Sequence, residues 1–282
     1  MWVILYSGLA PVQRGQPWGK IGVGMLNGYE EFKKDVLKLT GIDLSAYREE
    51  QMKRRIDTLI ARNGINSYTA YVALLKRDKE KFEQFVNFLT INVSEFYRNP
   101  AQWDVLEKEV FPALIHRFGR SLRIWSAACS TGDEPYSLVM ALSKYLPLVN
   151  IRVIATDIDH QVLNKARMGL YSEKSIVSVP QEFKNRYFRK AGNGFQISEE
   201  IKRQVEFREH NLLRDMYPTG CHLIVCRNVM IYFTEETRDA INQKFSASLV
   251  RGGILFIGSA EQIINYKQLG FQRKKSFFFQ RE

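Results

Sequence analysis

LRIWSAACSTGDEPYS, residues Leu122–Ser137, is an apolar run that passes into small residues and one glycine before two acids and a proline. Small residues at the end of a strand let the backbone turn sharply and approach a ligand closely. The adjacent carboxylates of Asp133 and Glu134 would repel a phosphate but attract a cationic nucleoside. The stretch therefore predicts a pocket for an adenosine ligand such as S-adenosylmethionine, with an ordinary strand-to-helix turn as the alternative.

Apolar strands alternate with amphipathic helices from about Leu122 onward, which is typical of a parallel sheet with crossover helices. Seven strands are predicted: LRIWSA, IRVIATDID, VEFREHN, HLIVCRN, GILFIGS, FQRK and SFFFQRE. A glycine-rich turn at Ala191–Gly194 indicates a hairpin near residues 187–207, inserted before the third core strand. We expect an α/β fold, a Rossmann-like domain over residues 99–282 that carries a small β-subdomain.

Residues 28–98 have a helical pattern instead, in which apolar positions such as Met52, Ile56 and Ile60 recur at three- and four-residue spacings. This region is predicted to be a small all-α domain. The first 27 residues lack helical periodicity, and their apolar stretch has no preceding basic region. We interpret them as a leader, disordered or non-native.

Composition limits the possible partners. The chain has 282 residues, 45% of them hydrophobic, and a formal net charge of +11, which favours an anionic partner: nucleic acid, a membrane surface or an acidic protein. Three cysteines without CxxC spacing and four scattered histidines predict neither a disulfide framework nor a metal site, and they fit a reducing cytoplasm. No apolar run approaches the roughly 18 residues that cross a bilayer, so we expect no membrane insertion.

Polar residues follow the second and third predicted core strands. Asp157 ends the second strand, where nucleoside-binding α/β folds place an acid that accepts hydrogen bonds from the ribose hydroxyls. Capping of the following helix is the other possible role for an acid here, and Asp159 suits it better. Asn211 and Leu212 end the third strand, where an amide and an apolar side chain could contact an adenine ring.

The fourth core strand ends in CRNVMIYF, residues 226–233, which places Arg227, Asn228 and Tyr232 at the carboxyl edge of the sheet. For Tyr232 both a packing role and a hydrogen bond to the reacting group are open. Between the two domains lies NVSEFYR, residues 92–98, which could fold over the ligand as a lid. Its final arginine could equally be a solvated linker charge.

The second predicted helix carries a basic stripe. Arg48, Arg55 and Arg62 recur every seven residues and share one face, with Lys53 and Arg54 beside them. Such a stripe is either a solvated face or a docking surface for an acidic helix.

Taken together, NVSEFYR, SAACSTGDEPYS, ATDID, HNLL and CRNVMIYF resemble the CheR-type chemotaxis receptor methyltransferases from about Gly28 to the C-terminus. The resemblance implies a Rossmann-like S-adenosylmethionine-dependent methyltransferase domain with an inserted β-subdomain, preceded by an all-α domain. It also implies methyl transfer to glutamate side chains of methyl-accepting chemotaxis receptors, which adapts the receptors and yields S-adenosyl-L-homocysteine. The expected protein is a cytoplasmic monomer.

Carried over by motif, the resemblance assigns catalytic positions beside the methyl group to Arg98 and Tyr232. It assigns the cofactor site to nine residues, Asn92, Ser94, Arg98, Glu134, Asp157, Asn211, Leu212, Arg227 and Asn228. The receptor-docking prediction covers Arg48, Lys53, Arg54, Arg55 and Arg62. The chain departs from the family pattern at Ser94, where threonine is common, and at Cys129 and Asp133. Some family members also dock a receptor tail peptide on the β-subdomain, and the sequence leaves this open.

Two rival functions are less well supported. Nucleic-acid methylation fits the positive charge, but it predicts an Asn/Asp-Pro-Pro-aromatic motif after the fourth strand, and CRNVMIYF contains no proline. A cofactor-sensing adaptor without turnover would be favoured if Arg98 or Tyr232 were missing, and both are present.

Overall fold

A computed structural model describes residues 26–282. The leader predicted over residues 1–27 therefore lies outside the described residues, apart from Leu26 and Asn27 just before the first helix. Within residues 26–282, no helix combines the length and apolar character needed to cross a membrane.

The N-terminal region is all-α, as predicted. Its four helices are α1 (Tyr29–Thr40), α2 (Glu49–Arg62), α3 (Tyr68–Arg77) and α4 (Lys79–Thr90). Gly41 ends α1 in a left-handed conformation, and the Ser67 hydroxyl caps α3 by accepting from the Ala70 amide. The apolar faces meet in one core in which Phe32, Ile56 and Phe85 are fully buried.

A long helical segment not predicted from the sequence joins the two domains. It consists of α5 (Pro100–Val105), a π-helical stretch (Leu106–Val110) and α6 (Phe111–Phe118). Pro112 has no amide hydrogen to donate to the carbonyl four residues earlier, and the π-helical stretch lies directly before α6. The two prolines of this segment obscured the helical pattern.

The main sheet has seven strands in the order β6-β2-β1-β7-β8-β10-β9. β1, β2, β6, β7 and β8 pair in parallel, and β10 is antiparallel to both β8 and β9. The strands are β1 (Ile124–Ala127), β2 (Val153–Asp157), β6 (Val205–Glu209), β7 (Cys221–Cys226), β8 (Leu249–Ile257), β9 (Phe271–Lys275) and β10 (Phe278–Arg281). All seven predicted strands are present, which confirms the α/β fold class. Strand order diverges on either side of β1, and in such sheets ligands bind outside the carboxyl ends at this point.

Crossover helices cover the sheet on both faces. They are α7 (Asp133–Leu142), α8 (His160–Met168) and α11 (Glu235–Ser248). Side chains of β1 alternate between the faces, so that Ile124 joins one apolar cluster and Trp125 the other. Trp125 is fully buried, and its indole N–H donates to the Thr156 hydroxyl at 2.9 Å. Truncating a tryptophan packed in this way costs about 3–5 kcal/mol.

The inserted β-subdomain is a separate three-stranded sheet. Its strands are β3 (Leu170–Tyr171), β4 (Phe188–Ala191) and β5 (Gly194–Ile197), in the order β3-β5-β4, with short helices α9 (Gln181–Tyr187) and α10 (Glu199–Lys202) on either side of the hairpin. The predicted hairpin near residues 187–207 is thus formed by β4 and β5 alone, because β6 belongs to the main sheet, as its strand pattern predicted.

Candidate active site

The β1 loop, residues Ala128–Gly132, follows the strand that decides the fold. Ala128, Ser130 and Gly132 all have positive φ angles, 62°, 48° and 89°. A Cβ at Gly132 would lie 2.8 Å from the Ala166 Cβ, so no side chain fits there. A left-handed conformation at a non-glycine residue costs on the order of 1–3 kcal/mol, so the loop must be held by contacts with its surroundings.

Asp157, at the end of β2, holds the β1 loop. Its carboxylate accepts from the Ser130 amide at 2.8 Å and from the Asp159 amide at 3.0 Å. Burial raises the pKa of this carboxyl to about 6. Each carboxylate oxygen has a second lone pair, so Asp157 can accept further hydrogen bonds from a ligand.

A cavity between the two domains opens beside Asp157. It contains about 620 Å³ of empty space, counting space open to solvent. Four predicted site residues line it: Asp157, Asn211, Leu212 and Tyr232. The helical domain contributes Ile42, Tyr47, Leu89 and Thr90, none of which was predicted. The mixed apolar and polar lining suits a nucleoside.

Asn211 also ties the two domains together. Its side-chain amide donates to the Gly41 carbonyl at 3.3 Å, and its side-chain oxygen accepts from the Leu213 amide at 2.9 Å. One edge of the cavity is therefore fixed to the end of α1.

Asn92 and Ser94 lie at the domain junction and do not line this cavity. The Asn92 amide donates to Asp159 Oδ2 at 2.8 Å, and Ser94 lies near the buried Asp133 carboxylate. Asp159 caps α8 through its other oxygen, which accepts from the Gln161 amide, so the capping role suggested for Asp159 is confirmed. Direct cofactor contact by Asn92 and Ser94 stays a prediction.

Glu134 and Arg227 form a buried ion pair, and neither residue lines the cavity. Glu134 accepts from the Ser126 hydroxyl at 2.8 Å and lies 3.6 Å from the Arg227 guanidinium. Burial raises the pKa of Glu134 and lowers the pKa of Arg227, whose side chain is only 3% exposed. Burying either of these charges without the other would cost on the order of 3–5 kcal/mol of stability.

Arg227 also fixes the start of α5. Its Nη2 donates to the Arg98 carbonyl at 2.7 Å, to Asn99 Oδ1 at 3.1 Å and to Gln102 Oε1 at 2.8 Å. The Arg98 side chain donates to the Val93 carbonyl at 3.2 Å. The structure thus brings Arg98 and Arg227 together, but through the Arg98 backbone.

The β7 turn, residues Arg227–Tyr232, depends on an acid that was not predicted. Glu261 is 5% exposed and accepts from the amides of Val229 at 2.9 Å, Met230 at 2.8 Å and Gly258 at 2.5 Å. Burial raises its pKa, and these hydrogen bonds oppose the rise. Asn228, within the turn, has a φ of 62°. Glu261 follows β8 at the same sheet edge, and only the assembled sheet brings it to this turn.

The helical domain docks directly on the end of the β7 turn. Arg48 N donates to the Tyr232 carbonyl at 2.9 Å, and Thr234 N donates to the Ala46 carbonyl at 2.9 Å. The rings of Tyr47 and Phe233 lie 4.9 Å apart. Burial raises the pKa of Tyr47, helped by the nearby Asp157 charge, so its hydroxyl is neutral in the cavity wall.

The five basic residues of the predicted docking surface separate into two groups. Arg48, Arg54 and Arg62 are exposed. Lys53 pairs with Asp57 at 2.7 Å, and Arg55 donates to the Phe88 carbonyl at 2.9 Å while its guanidinium covers the Phe88 ring. Two of the five therefore have internal partners, because the stripe borders the packed face of α2.

A tight left-handed loop after β1, a buried acid at the end of β2 and a cavity at the strand-order switch define a nucleoside-binding domain of the Rossmann type. Residues 92–277 match the family described as CheR methyltransferase, SAM binding domain, and residues 27–90 match CheR methyltransferase, all-alpha domain. The chain belongs to the CheR methyltransferase family. The predicted domain limits, 28–98 and 99–282, stay predictions.

Curated relatives agree with this assignment. The chain is 40% identical over 251 residues to the chemotaxis protein methyltransferase of Listeria monocytogenes, covering 89% of this chain and 96% of the relative. It is 34% identical over 244 residues to that of Borreliella burgdorferi, covering 82% and 86%, and 32% identical over 241 residues to that of Salmonella typhimurium, covering 82% of each. The predicted methyltransferase activity and the predicted S-adenosylmethionine cofactor are confirmed.

Proposed function

We propose that this methyltransferase esterifies glutamate side chains of chemotaxis receptors in the cytoplasm, acting as a monomer in sensory adaptation. S-adenosylmethionine-dependent methylation in chemotaxis follows from the family, and the glutamate acceptor is our proposal. The observation that carries it is that Asp157 and Tyr232 line one cavity. The acid expected at the ribose and the tyrosine expected at the methyl group therefore face the same space.

The reaction needs little acid–base machinery. A glutamate side chain with a pKa of about 4.3 is already an anion at neutral pH. One carboxylate oxygen forms a bond to the methyl carbon while the carbon–sulfur bond breaks, and the electron pair of that bond stays on sulfur. The protein therefore has to align the two reactants and exclude water, and the Tyr232 hydroxyl orients the carboxylate.

Different residues take the parts of the cofactor, and three of them, Asp157, Asn211 and Leu212, line the cavity. Asp157 accepts from the ribose hydroxyls, and Asn211 and Leu212 hold the adenine end. Glu134 pairs with the cofactor's amino group, which adds a cation to the Glu134–Arg227 pair already present. In the family motif Arg98 closes over the methionine portion. In the structure its side chain donates to the carbonyl of Val93, in the segment proposed as a lid.

The receptor docking surface is formed by the exposed arginines of α2 and its N-cap. Within residues 26–282, the side chains of Arg48, Arg54 and Arg62 lack internal contacts of the kind that occupy Lys53 and Arg55. Receptor helices with exposed carboxylates complement this charge. The hydrogen bond from the Arg48 amide to the Tyr232 carbonyl supports a docking surface next to the proposed methyl-transfer site.

The test is incubation of the protein with methyl-labelled S-adenosylmethionine and receptor-enriched membranes, followed by mild alkali. Glutamyl esters release volatile methanol, whereas N-methyl groups and methylated nucleic acid do not. We expect a severe loss of label for Arg98→Ala and a modest loss for Tyr232→Phe. Alkali-stable label would contradict the glutamate acceptor, and full activity of Arg98→Ala would contradict its role over the cofactor.

A further inference from the structure

A second pocket shares the β7 turn with the cofactor cavity. We call it the side pocket; it contains about 430 Å³ of empty space, counting space open to solvent. Met230 and Ile231 of the turn form one wall. Its polar lining includes Arg48, Arg238, Asn242 and Glu261.

Polar atoms in the side pocket lack partners within the described chain. Arg238 and Asn242 are one helical turn apart on α11 and so share a face. Arg238 Nε and Asn242 Oδ1 are both buried without a hydrogen bond, and Asn242 is only 4% exposed. Leaving a buried polar group unpaired costs free energy, because its hydration is lost and not replaced. Such atoms point to a polar ligand that completes the pocket.

The charges select an anionic ligand. Among residues 26–282, neither the Arg48 nor the Arg238 guanidinium forms an ion pair. The one acid in the lining, Glu261, accepts three backbone N–H groups, which offset its charge. The Asn242 side-chain amide can rotate by 180° about its terminal torsion, so that it presents its N–H groups to the side pocket. A carboxylate would then receive hydrogen bonds from guanidinium and amide together.

We propose that the side pocket binds a second carboxylate side chain of the protein substrate, three or four residues from the methylated glutamate; this rests on the proposed function. The β7 turn is shared by the two pockets, because Val229 and Tyr232 line the cofactor cavity and Met230 and Ile231 line the side pocket. Side chains three or four residues apart on a helix have Cβ atoms about 5–6 Å apart. A substrate helix across the turn therefore presents one carboxylate to each pocket.

The test uses the purified full chain and the purified cytoplasmic domain of a chemotaxis receptor. Alkali-labile label first maps the methylated glutamate, and each acid three or four positions away is then replaced, Glu→Gln or Asp→Asn. With the unaltered enzyme, we expect one such replacement to raise KM about tenfold with kcat within about twofold, the effect of one charge-assisted hydrogen bond. With Arg238→Gln, the same substrate replacement should change KM by less than about twofold, because the partner is already gone.

Arg251→Gln provides a matched control, because Arg251 is exposed and lies near the start of β8. Gly258, whose amide donates to Glu261 of the side pocket, follows the other end of that strand. With Arg251→Gln, the substrate replacement should still raise KM about tenfold. Arg238→Gln should retain native affinity for S-adenosylhomocysteine. Equal KM losses with the unaltered and the Arg238→Gln enzymes would overturn the side-pocket proposal, as would a mapped site with no acid three or four residues away. Absence of alkali-labile label with the unaltered enzyme would instead contradict the glutamate acceptor, and the side-pocket proposal with it.

Discussion

The β1 loop and the β7 turn leave adjacent strands at the same edge of the sheet, and each contains at least one non-glycine residue in the left-handed conformation. They are held in different ways. The β1 loop is fixed by Asp157 of β2, which accepts from the Ser130 amide, and by the Tyr171 hydroxyl, which donates to the Thr131 carbonyl. The β7 turn is fixed by Glu261 beyond β8, by the start of α5 and by Arg48 of the helical domain. The β1 loop is thus held within the α/β domain, whereas the β7 turn, where we propose that the acceptor binds, also depends on the helical domain.

The largest effect is expected from Arg227→Met, which would break the assembly around the β7 turn. Glu134 would remain buried without its partner, so the free energy of unfolding should fall by about 3 kcal/mol or more. Urea denaturation followed by circular dichroism measures this.

Arg227→Met combined with Glu134→Gln serves as the control, because it removes both charges. It should recover part of the lost stability. A single-variant loss below about 1 kcal/mol would show that the ion pair does not hold this part of the site.

Next in size is Asp157→Asn, which tests the β1 side of the comparison. The asparagine loses the charge that we expect the ribose hydroxyls to contact, so affinity for S-adenosylhomocysteine should fall about thirtyfold, or about 2 kcal/mol. Isothermal titration calorimetry measures the affinity. Asp104→Asn, at an exposed position of α5, should bind like the unaltered protein. Near-native affinity of Asp157→Asn would exclude a charged contact to the cofactor.

The difference between the two regions also explains what could be predicted from sequence. The β1 loop and Asp157 follow from consecutive strand patterns, because residues close in sequence form the contact. Glu261 and Tyr47 could not be found in this way, since their contacts with the β7 turn and with Phe233 require the assembled sheet edge and the docked helical domain. Likewise, helical periodicity alone placed Lys53 and Arg55 on a binding stripe, although Asp57 and Phe88 engage them.

A smaller effect is expected from Glu261→Gln, which would loosen the β7 turn alone. The amide keeps one acceptor oxygen but places an NH2 group where the carboxylate accepted a backbone N–H. We expect kcat to fall about tenfold while affinity for S-adenosylhomocysteine changes by less than about twofold. Glu236→Gln, at an exposed position of α11, is the matched control. A parallel loss of affinity would show that Glu261 supports the whole site and not the turn.

The smallest effect is a pH dependence specific to the β1 side. Burial raises the pKa of Asp157 to about 6. Because the ribose contact needs the carboxylate, affinity for S-adenosylhomocysteine should fall about twofold from pH 7 to pH 6, and more steeply below. Without cofactor, the free energy of unfolding should change with pH in the opposite direction. Because the raised pKa means that the folded protein binds the Asp157 proton more tightly than the unfolded chain, this contribution to stability is present at about pH 4 and is lost as the pH rises through 6.

Comparison with Asp157→Asn at each pH isolates this carboxyl from Asp133, Glu134 and Glu261, whose pKa values burial also raises. For Asp157→Asn, neither the affinity for S-adenosylhomocysteine nor the free energy of unfolding should show this pH dependence. If its affinity and its stability follow pH as in the unaltered protein, the titrating group lies elsewhere. A remaining dependence of kcat alone would point to Glu261, because that acid fixes the turn on the acceptor side.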